Sequence, residues 1–275
     1  MNQTWQFWQG KTALVTGASS GIGLAVARAL AARGLRLVLS ARREDRLSSL
    51  AAEIRAAGGE AAILPADLSR LNEAHRLAAA ALALPGGVDV LVNNAGLGWY
   101  GYYSGMPQPV LDELMQVNIV APAVLTRLCL PAMLARGYGR VINISSISGA
   151  IPSQGIVLYG ASKAFLDSFT TSLHRELRGS GVSSCEVRPG PVTSEFYSRS
   201  AAREGGRPVP AERFAVSAER VAAVTARLLP HPRRVVNIPA ILALVPWVEL
   251  CFGWLIDLLG PLLLRRPHTP TPPKD

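Results

Sequence analysis

Cysteine is scarce. The 275 residues hold three, Cys129, Cys185 and Cys251, far apart and without a CxxC pair, and the four histidines do not gather around them. That argues against a disulfide framework and against a zinc site, and leaves buried free thiols of a reducing compartment as the expectation. Lysine is scarce too: 3 of the 28 basic residues, the other 25 being arginine. No basic run exceeds two residues and no aromatics interleave them, which argues against nucleic acid as a partner. The net charge of +9 favours other anions: phosphorylated cofactors, acyl carriers or anionic lipid. The start, MNQTWQFWQGK, has neither a basic n-region nor an apolar h-region, so no signal peptide is expected. Trp5, Phe7 and Trp8 are expected to pack onto the domain edge, with contact at a membrane interface the lesser alternative.

What is abundant is apolar surface. With 49% hydrophobic and 17% charged residues, the chain buries a sizeable core and fits one large α/β domain. Short apolar runs alternate with helical patterns. TALVTG (12–17), LRLVLS (35–40), AAILPADL (61–68), VDVLVNNAG (88–96), GRVINISS (139–146), VSSCEVRPG (182–190) and RRVVNI (233–238) read as strands. Helices are expected after Gly21, over 43–57, near 70–84, 109–135, 157–178 and 217–229, with a polar, arginine-rich segment over 193–214. Strict alternation implies a doubly wound parallel sheet with helices on both faces and a ligand beyond the strand C-terminal ends. No repeat or linker interrupts residues 10–238, so 1–238 is expected to form one domain.

Two motifs carry chemistry. TGASSGIG joins the first strand to its helix, with Gly17, Gly21 and Gly23 in the spacing G-x-x-x-G-x-G. Residues without side chains let a phosphate approach free backbone N–H groups at a helix N-terminus. YGASK, residues 159–163, sets a phenol four residues before an ammonium, on one helix face about one turn apart. A lysine beside a tyrosine lowers the phenol's pKa from ~10.

With these motifs the chain resembles the short-chain dehydrogenase/reductase family in its single-domain form, over about residues 8–238. TGASSGIG, NNAG (93–96), Asn118, Ser146, YGASK and RPGPVTS fall in the family's order. The resemblance implies a seven-stranded Rossmann sheet in the order 3-2-1-4-5-6-7. It implies Tyr159 as general acid in reduction and base in oxidation. By the same resemblance Lys163 lowers the phenol's pKa and holds the nicotinamide ribose, Ser146 polarises the carbonyl, and Asn118 holds a water that relays protons. Ser19, Ser20 and Ile22 join the glycines as cofactor contacts, with Asp67, Leu68, Asn94, Ala95 and Gly96. Pro189, Gly190, Val192 and Thr193 fall where the family meets the carboxamide. Asp67 reads equally as a strand-end cap.

After the second strand an acidic residue would bond the adenosine ribose and repel a 2′-phosphate. This chain reads Ser40, Ala41, Arg42, Arg43 there. Arginine forks grip phosphate, so NADPH is expected over NADH. The glycine loop departs from many NADP-preferring relatives: Ala18, Ser19 and Ser20 stand where they carry a basic residue.

Leu97, Trp99, Tyr100, Ile151, Val157, Leu158, Phe196 and Tyr197 are expected to line a largely apolar substrate pocket for a small lipophilic carbonyl. Arg199, Arg203, Arg207 and Arg213 punctuate the same region and are expected to be solvated rather than to bind an anion. Residues 239–266 form an apolar helical segment in which Glu249, Gly253, Asp257 and Gly260 share one narrow stripe. Two readings stand: it covers the cleft or a subunit interface, or it dips into a bilayer leaflet, with a full span the lesser alternative. The tail 267–275 is expected to be disordered. Homo-oligomers are common in the family. The expectation is therefore a cytoplasmic, NADP(H)-dependent oxidoreductase, peripheral on the cytoplasmic membrane face if the second reading holds. The rivals are a non-catalytic dinucleotide- or lipid-binding protein and a membrane-surface protein using the fold as scaffold.

Overall fold

The computed structural model describes residues 3–208 and 215–263. Arg213, Arg265, Arg266 and the tail 267–275 lie outside the described residues.

Seven strands form one all-parallel sheet: β1 Thr12–Thr16, β2 Arg36–Ser40, β3 Ala61–Ile63, β4 Val90–Asn93, β5 Gly139–Ile144, β6 Val182–Pro189 and β7 Val235–Ile238. Their order is 3-2-1-4-5-6-7, as the family resemblance implied. Between them run α2 Gly21–Ala31, α3 Glu44–Ala56, α4 Glu73–Leu82, α5 Gln108–Met115, α6 Ala121–Arg136, α7 Val157–Glu176, α8 Phe196–Ala201 and α9 Ala218–Arg227. A short α1, Gln3–Gln6, precedes the sheet, and α10, Val245–Leu263, follows it.

Side chains alternate across each strand, so one sheet serves two cores. Ala13, Val15, Leu37 and Leu39 face α2, α3 and α9, where Leu30, Leu47 and Val221 are sealed from solvent. Leu14, Val38, Leu91 and Val141 face the other way, onto Leu77 of α4 and Leu125 and Met133 of α6. Each such aliphatic side chain contributes roughly 1.5–3 kcal/mol by leaving water. The chain grows outward in opposite directions from β1 and β4, which opens a crevice beyond their C-terminal ends.

Three expectations change. The helix over 109–135 is real but carries a π-helical turn, Gln116–Val120, between α5 and α6. The polar, arginine-rich segment after β6, read without a helix, holds α8. Of the three thiols, Cys129 and Cys185 are buried, and burial pushes their pKa values up to about 12 and about 11, but Cys251 is exposed. At the N-terminus Trp8 is buried while Phe7 is half exposed, edge-on to Trp8 and Tyr138.

α10 differs from every other helix. It bends at Phe252, whose φ/ψ are not helical, so one straight stripe does not run its length. Glu249 and Gly253 are half-buried, Asp257 is exposed, and Trp247, Leu250, Trp254 and Leu258 expose 64%, 75%, 66% and 69% of their surface. Those four side chains face solvent rather than either core.

Candidate active site

The crevice is a cavity of about 500 Å³ running from the glycine loop to Tyr159 and Lys163. A smaller one of about 110 Å³ adjoins it behind Ser146 and Tyr159.

At one end the chain turns from β1 into α2. Gly17 has φ +67°, which favours glycine, and a Cβ on Gly23 would strike the Gly17 carbonyl and the Asn94 amide. Asn94 locks this loop to the end of β4: its Nδ2 donates to Thr16 O at 2.8 Å, and its backbone N–H to Thr16 Oγ1 at 3.0 Å. The result is a backbone cradle at a helix N-terminus that side chains would fill, the form a dinucleotide's pyrophosphate needs.

Arg43 stands across the cradle. Its Nη2 donates to Ser20 Oγ at 2.8 Å and to Ser19 Oγ at 3.1 Å. Asp67 lines the cavity, and its Oδ1 accepts from Ser69 Oγ at 2.7 Å, the local bond a capping residue makes.

At the other end α7 carries Tyr159 and Lys163 into the cavity wall, with Ser146 entering just after β5. Lys163 is 5% exposed; its Nζ donates to Ile144 O at 3.0 Å and lies 5.8 Å from the centre of the Tyr159 ring. Burial pulls its pKa from 10.5 down to about 8, against the opposing charges of Asp167 and Glu186. Burial likewise pushes the Tyr159 phenol above its ordinary value, offset in part by a hydrogen bond with Ser146. The lowering expected from Lys163 does not figure here: burial raises the phenol, Ser146 is what offsets it, and the ammonium bonds a carbonyl.

Asn118 sits in the π turn and is 1% exposed. Its Nδ2 donates to Leu97 O at 2.9 Å and Ser162 Oγ at 3.0 Å, and its Oδ1 accepts from Leu97 N–H at 2.8 Å. Both amide protons are spent, so the side chain ties the β4 loop to α7 and has no donor left for a water.

Behind Lys163 lies a buried ionic cluster that sequence reading missed. Ser145 Oγ donates to Asp167 Oδ1 at 2.8 Å, and Arg188 bridges Asp167 at 3.1 Å and Glu186 at 2.9 Å. Glu186 is fully buried, and desolvation together with neighbouring Asp167 pushes its carboxyl well above the carboxylate range. The only signal was a glutamate within a strand otherwise reading as buried.

Most expected cofactor contacts line the main cavity: Gly17, Ser19, Ser20, Gly21, Ile22, Arg42, Arg43, Asp67, Leu68, Asn94, Ala95, Gly96, Pro189, Gly190 and Val192. Gly23 lies beneath the cradle, and Thr193 turns its backbone N–H to Val216 O at 3.2 Å instead of lining the cavity. Of the substrate candidates, Leu97, Phe196 and Tyr197 line the main cavity and Trp99 the smaller one. Tyr100, Ile151, Val157 and Leu158 line neither. Tyr100 lies over Gly155, Val157 is 54% exposed, and Leu158 packs on Trp99, Val110 and Leu114. Ile147, Ile156 and Pro191 line the smaller cavity in their place. Arg199 and Arg203 are not simply solvated: both line the main cavity, paired with Glu195 at 2.8 Å and Glu113 at 2.6 Å.

The model of the short chain dehydrogenase family matches residues 11–205. A short chain dehydrogenase of Pseudocercospora fijiensis is 45% identical over 191 residues, 68% of this chain and 62% of its own length. The ketoacyl reductase HetN of Nostoc is 38% identical over 184 residues, 67% of this chain and 64% of its own length. The chain thus spans less than two thirds of these two relatives. Among solved structures, a short-chain dehydrogenase from Sphingobium yanoikuyae in complex with NADPH superposes with a TM-score of 0.79 at 28% identity, covering 96% of this chain and 100% of that one.

Proposed function

This chain belongs to the short-chain dehydrogenase family, and from that premise we propose that it is an NADP(H)-dependent reductase of lipophilic ketones, working reversibly on the corresponding secondary alcohols. The observation that carries the reading is one continuous cavity that joins the glycine cradle to Ser146, Tyr159 and Lys163.

The residues present fit a dinucleotide. The cradle of Gly17, Gly21 and Gly23 would take the pyrophosphate, and Arg43, with no carboxylate at the end of β2, would take an adenosine 2′-phosphate. Lys163, beside Gly96, would hold the nicotinamide ribose. The NADPH in the Sphingobium neighbour supports the same preference. When bound, NADPH supplies a hydride to the carbonyl carbon. Ser146 orients the carbonyl oxygen, and Tyr159 gives that oxygen its proton. The phenol is protonated at neutral pH, the form in which it can give a proton. Asn118 and the cluster behind Lys163 hold these groups in place.

The smaller cavity, walled by Trp99, Ile147, Ile156, Pro191 and Phe196, supports an apolar substrate body. The ketoacyl reductase among its relatives supports a 3-oxoacyl thioester as the first class to try. The exposed apolar α10, with Arg265 and Arg266 next in sequence, supports peripheral membrane contact, and a second copy of the chain is the competing cover. Residues 1–238 would then be the catalytic unit and 239–266 its attachment. Flotation with anionic vesicles tests this: the full chain is expected to float and a chain ending at Pro239 to stay behind. Equal recovery of both would overturn the membrane reading.

The function itself is tested by following NADPH consumption with 3-oxoacyl thioesters, ketosteroids, retinal and aryl ketones, with Tyr159→Phe alongside. Turnover lost in the variant is the expected result. NADPH binding without turnover across the panel would favour the binding-protein reading.

A further inference from the structure

The arginines at the mouth of the cavity are neutralised from within the chain. Arg42 and Arg203 share Glu113 of α5, at 3.1 Å and 2.6 Å. Arg43, Arg46 and Arg199 share Glu195, at 3.0 Å, 2.5 Å and 2.8 Å. Both sets join the two sides of the crevice, but only the second uses the arginine that also bonds the glycine loop. Arg43 and Arg46 belong to the start of α3. Glu195 and Arg199 belong to the segment after β6. Arg43 is the pivot: Nε and Nη2 donate to the serines of the glycine loop and Nη1 donates to Glu195. Next to Glu195, the Ser194 side chain sits against Gly21 of the same loop.

Three guanidinium groups converging on one half-exposed carboxylate form a seat for an anion, and Glu195 now fills it. Arg46 and then Arg43 hold its carboxyl below the ordinary value, so it is an anion at every physiological pH. A phosphate carries more charge than a carboxylate and offers three acceptor oxygens to the same forks. We propose that Glu195 is a built-in competitor for the adenosine 2′-phosphate, occupying the Arg43–Arg46–Arg199 seat until that phosphate displaces it, and so setting how strongly the site discriminates NADP(H) from NAD(H). Displacement also breaks the pairs that Arg43 and Arg46 make with the segment after β6, while Arg42 and Arg203 stay joined through Glu113.

This rests on the NADP(H) reading, and the test separates the two. Calorimetric titration at low salt would compare 2′,5′-ADP, 3′,5′-ADP and 5′-AMP on the wild type and on Glu195→Gln. The wild type is expected to prefer 2′,5′-ADP to 5′-AMP, and Glu195→Gln to widen that preference about fivefold, the scale of a partly exposed ion pair. If Glu195 serves only to brace the loop, all three ligands shift together and the ratio stays fixed, which overturns the inference alone. If neither protein prefers 2′,5′-ADP, the NADP(H) reading falls and the inference with it. A preference widened only for 3′,5′-ADP would assign the seat to a coenzyme A phosphate and overturn the inference.

Discussion

Of the arginine–carboxylate groups that flank the candidate site, the one behind Lys163 and the one around Glu195 at the mouth of the cavity differ most. In the first, Arg188, Asp167 and Glu186 have side-chain exposures of 15%, 13% and 0%. In the second, Arg43, Arg46, Arg199 and Glu195 have 23%, 45%, 48% and 42%. The chemistry is the same and the physics is not. In the buried group the charges cannot fall back on water, so each holds the others in place and protonation states move. In the open group water screens every pair, so partners exchange at little cost. The first suits a fixed frame for Tyr159 and Lys163; the second suits a seat that changes occupant.

Breaking the buried group should cost most. Arg188→Ala leaves two carboxyls without their counter-charge and is expected to lower stability by ~3–5 kcal/mol in urea unfolding. A loss below ~1 kcal/mol would show that the group is no frame.

The pH dependence of stability sharpens the contrast. Glu186 has its folded pKa raised above 4.5 by burial. Its stabilising contribution is complete below that unfolded value and is lost as pH rises through the raised one. Stability of the wild type should therefore decline from about pH 4.5 toward neutrality by this contribution, and Glu186→Gln should flatten the decline. An unchanged slope would remove Glu186 as its source.

Lys163 titrates on the alkaline side. With its pKa pulled down to about 8, its ammonium is lost through that value, and carbonyl reduction should fall with it. Lys163→Arg, which stays charged, is expected to move this limb to higher pH at a reduced maximal rate, as read from a pH–rate profile.

The smallest effect belongs to the mouth. Arg46→Ala is expected to change stability by less than ~1 kcal/mol, and by less still in high salt, measured by thermal unfolding at two ionic strengths.

The same contrast explains what was legible in the sequence. Parallel strands between helices announce themselves as apolar runs, and the residues at their C-terminal ends follow by counting; Gly17, Asn94, Ser146, Tyr159 and Lys163 all meet around one cavity. Features made by distant partners were not legible. Glu186 and Asp167 are 19 positions apart and read singly as a strand polar residue and a helix surface residue. Arg43 and Glu195 are 152 apart. Nothing local to Asn118 shows that Leu97 and Ser162 take up its amide protons. Val157 and Leu158 were expected in the pocket by proximity to Tyr159, but helix geometry turns neighbouring residues to different faces.

The central claim is that this cavity brings a carbonyl, a hydride donor and the Tyr159 proton together. The direct measurement is mass analysis of the product formed from a 3-oxoacyl thioester and NADPH deuterated at the transferred position. One deuterium on the new carbinol carbon, absent from Tyr159→Phe reactions, is the predicted result. Labelled product formed equally by Tyr159→Phe would contradict the role assigned to the tyrosine, and product without deuterium would contradict hydride transfer in this site.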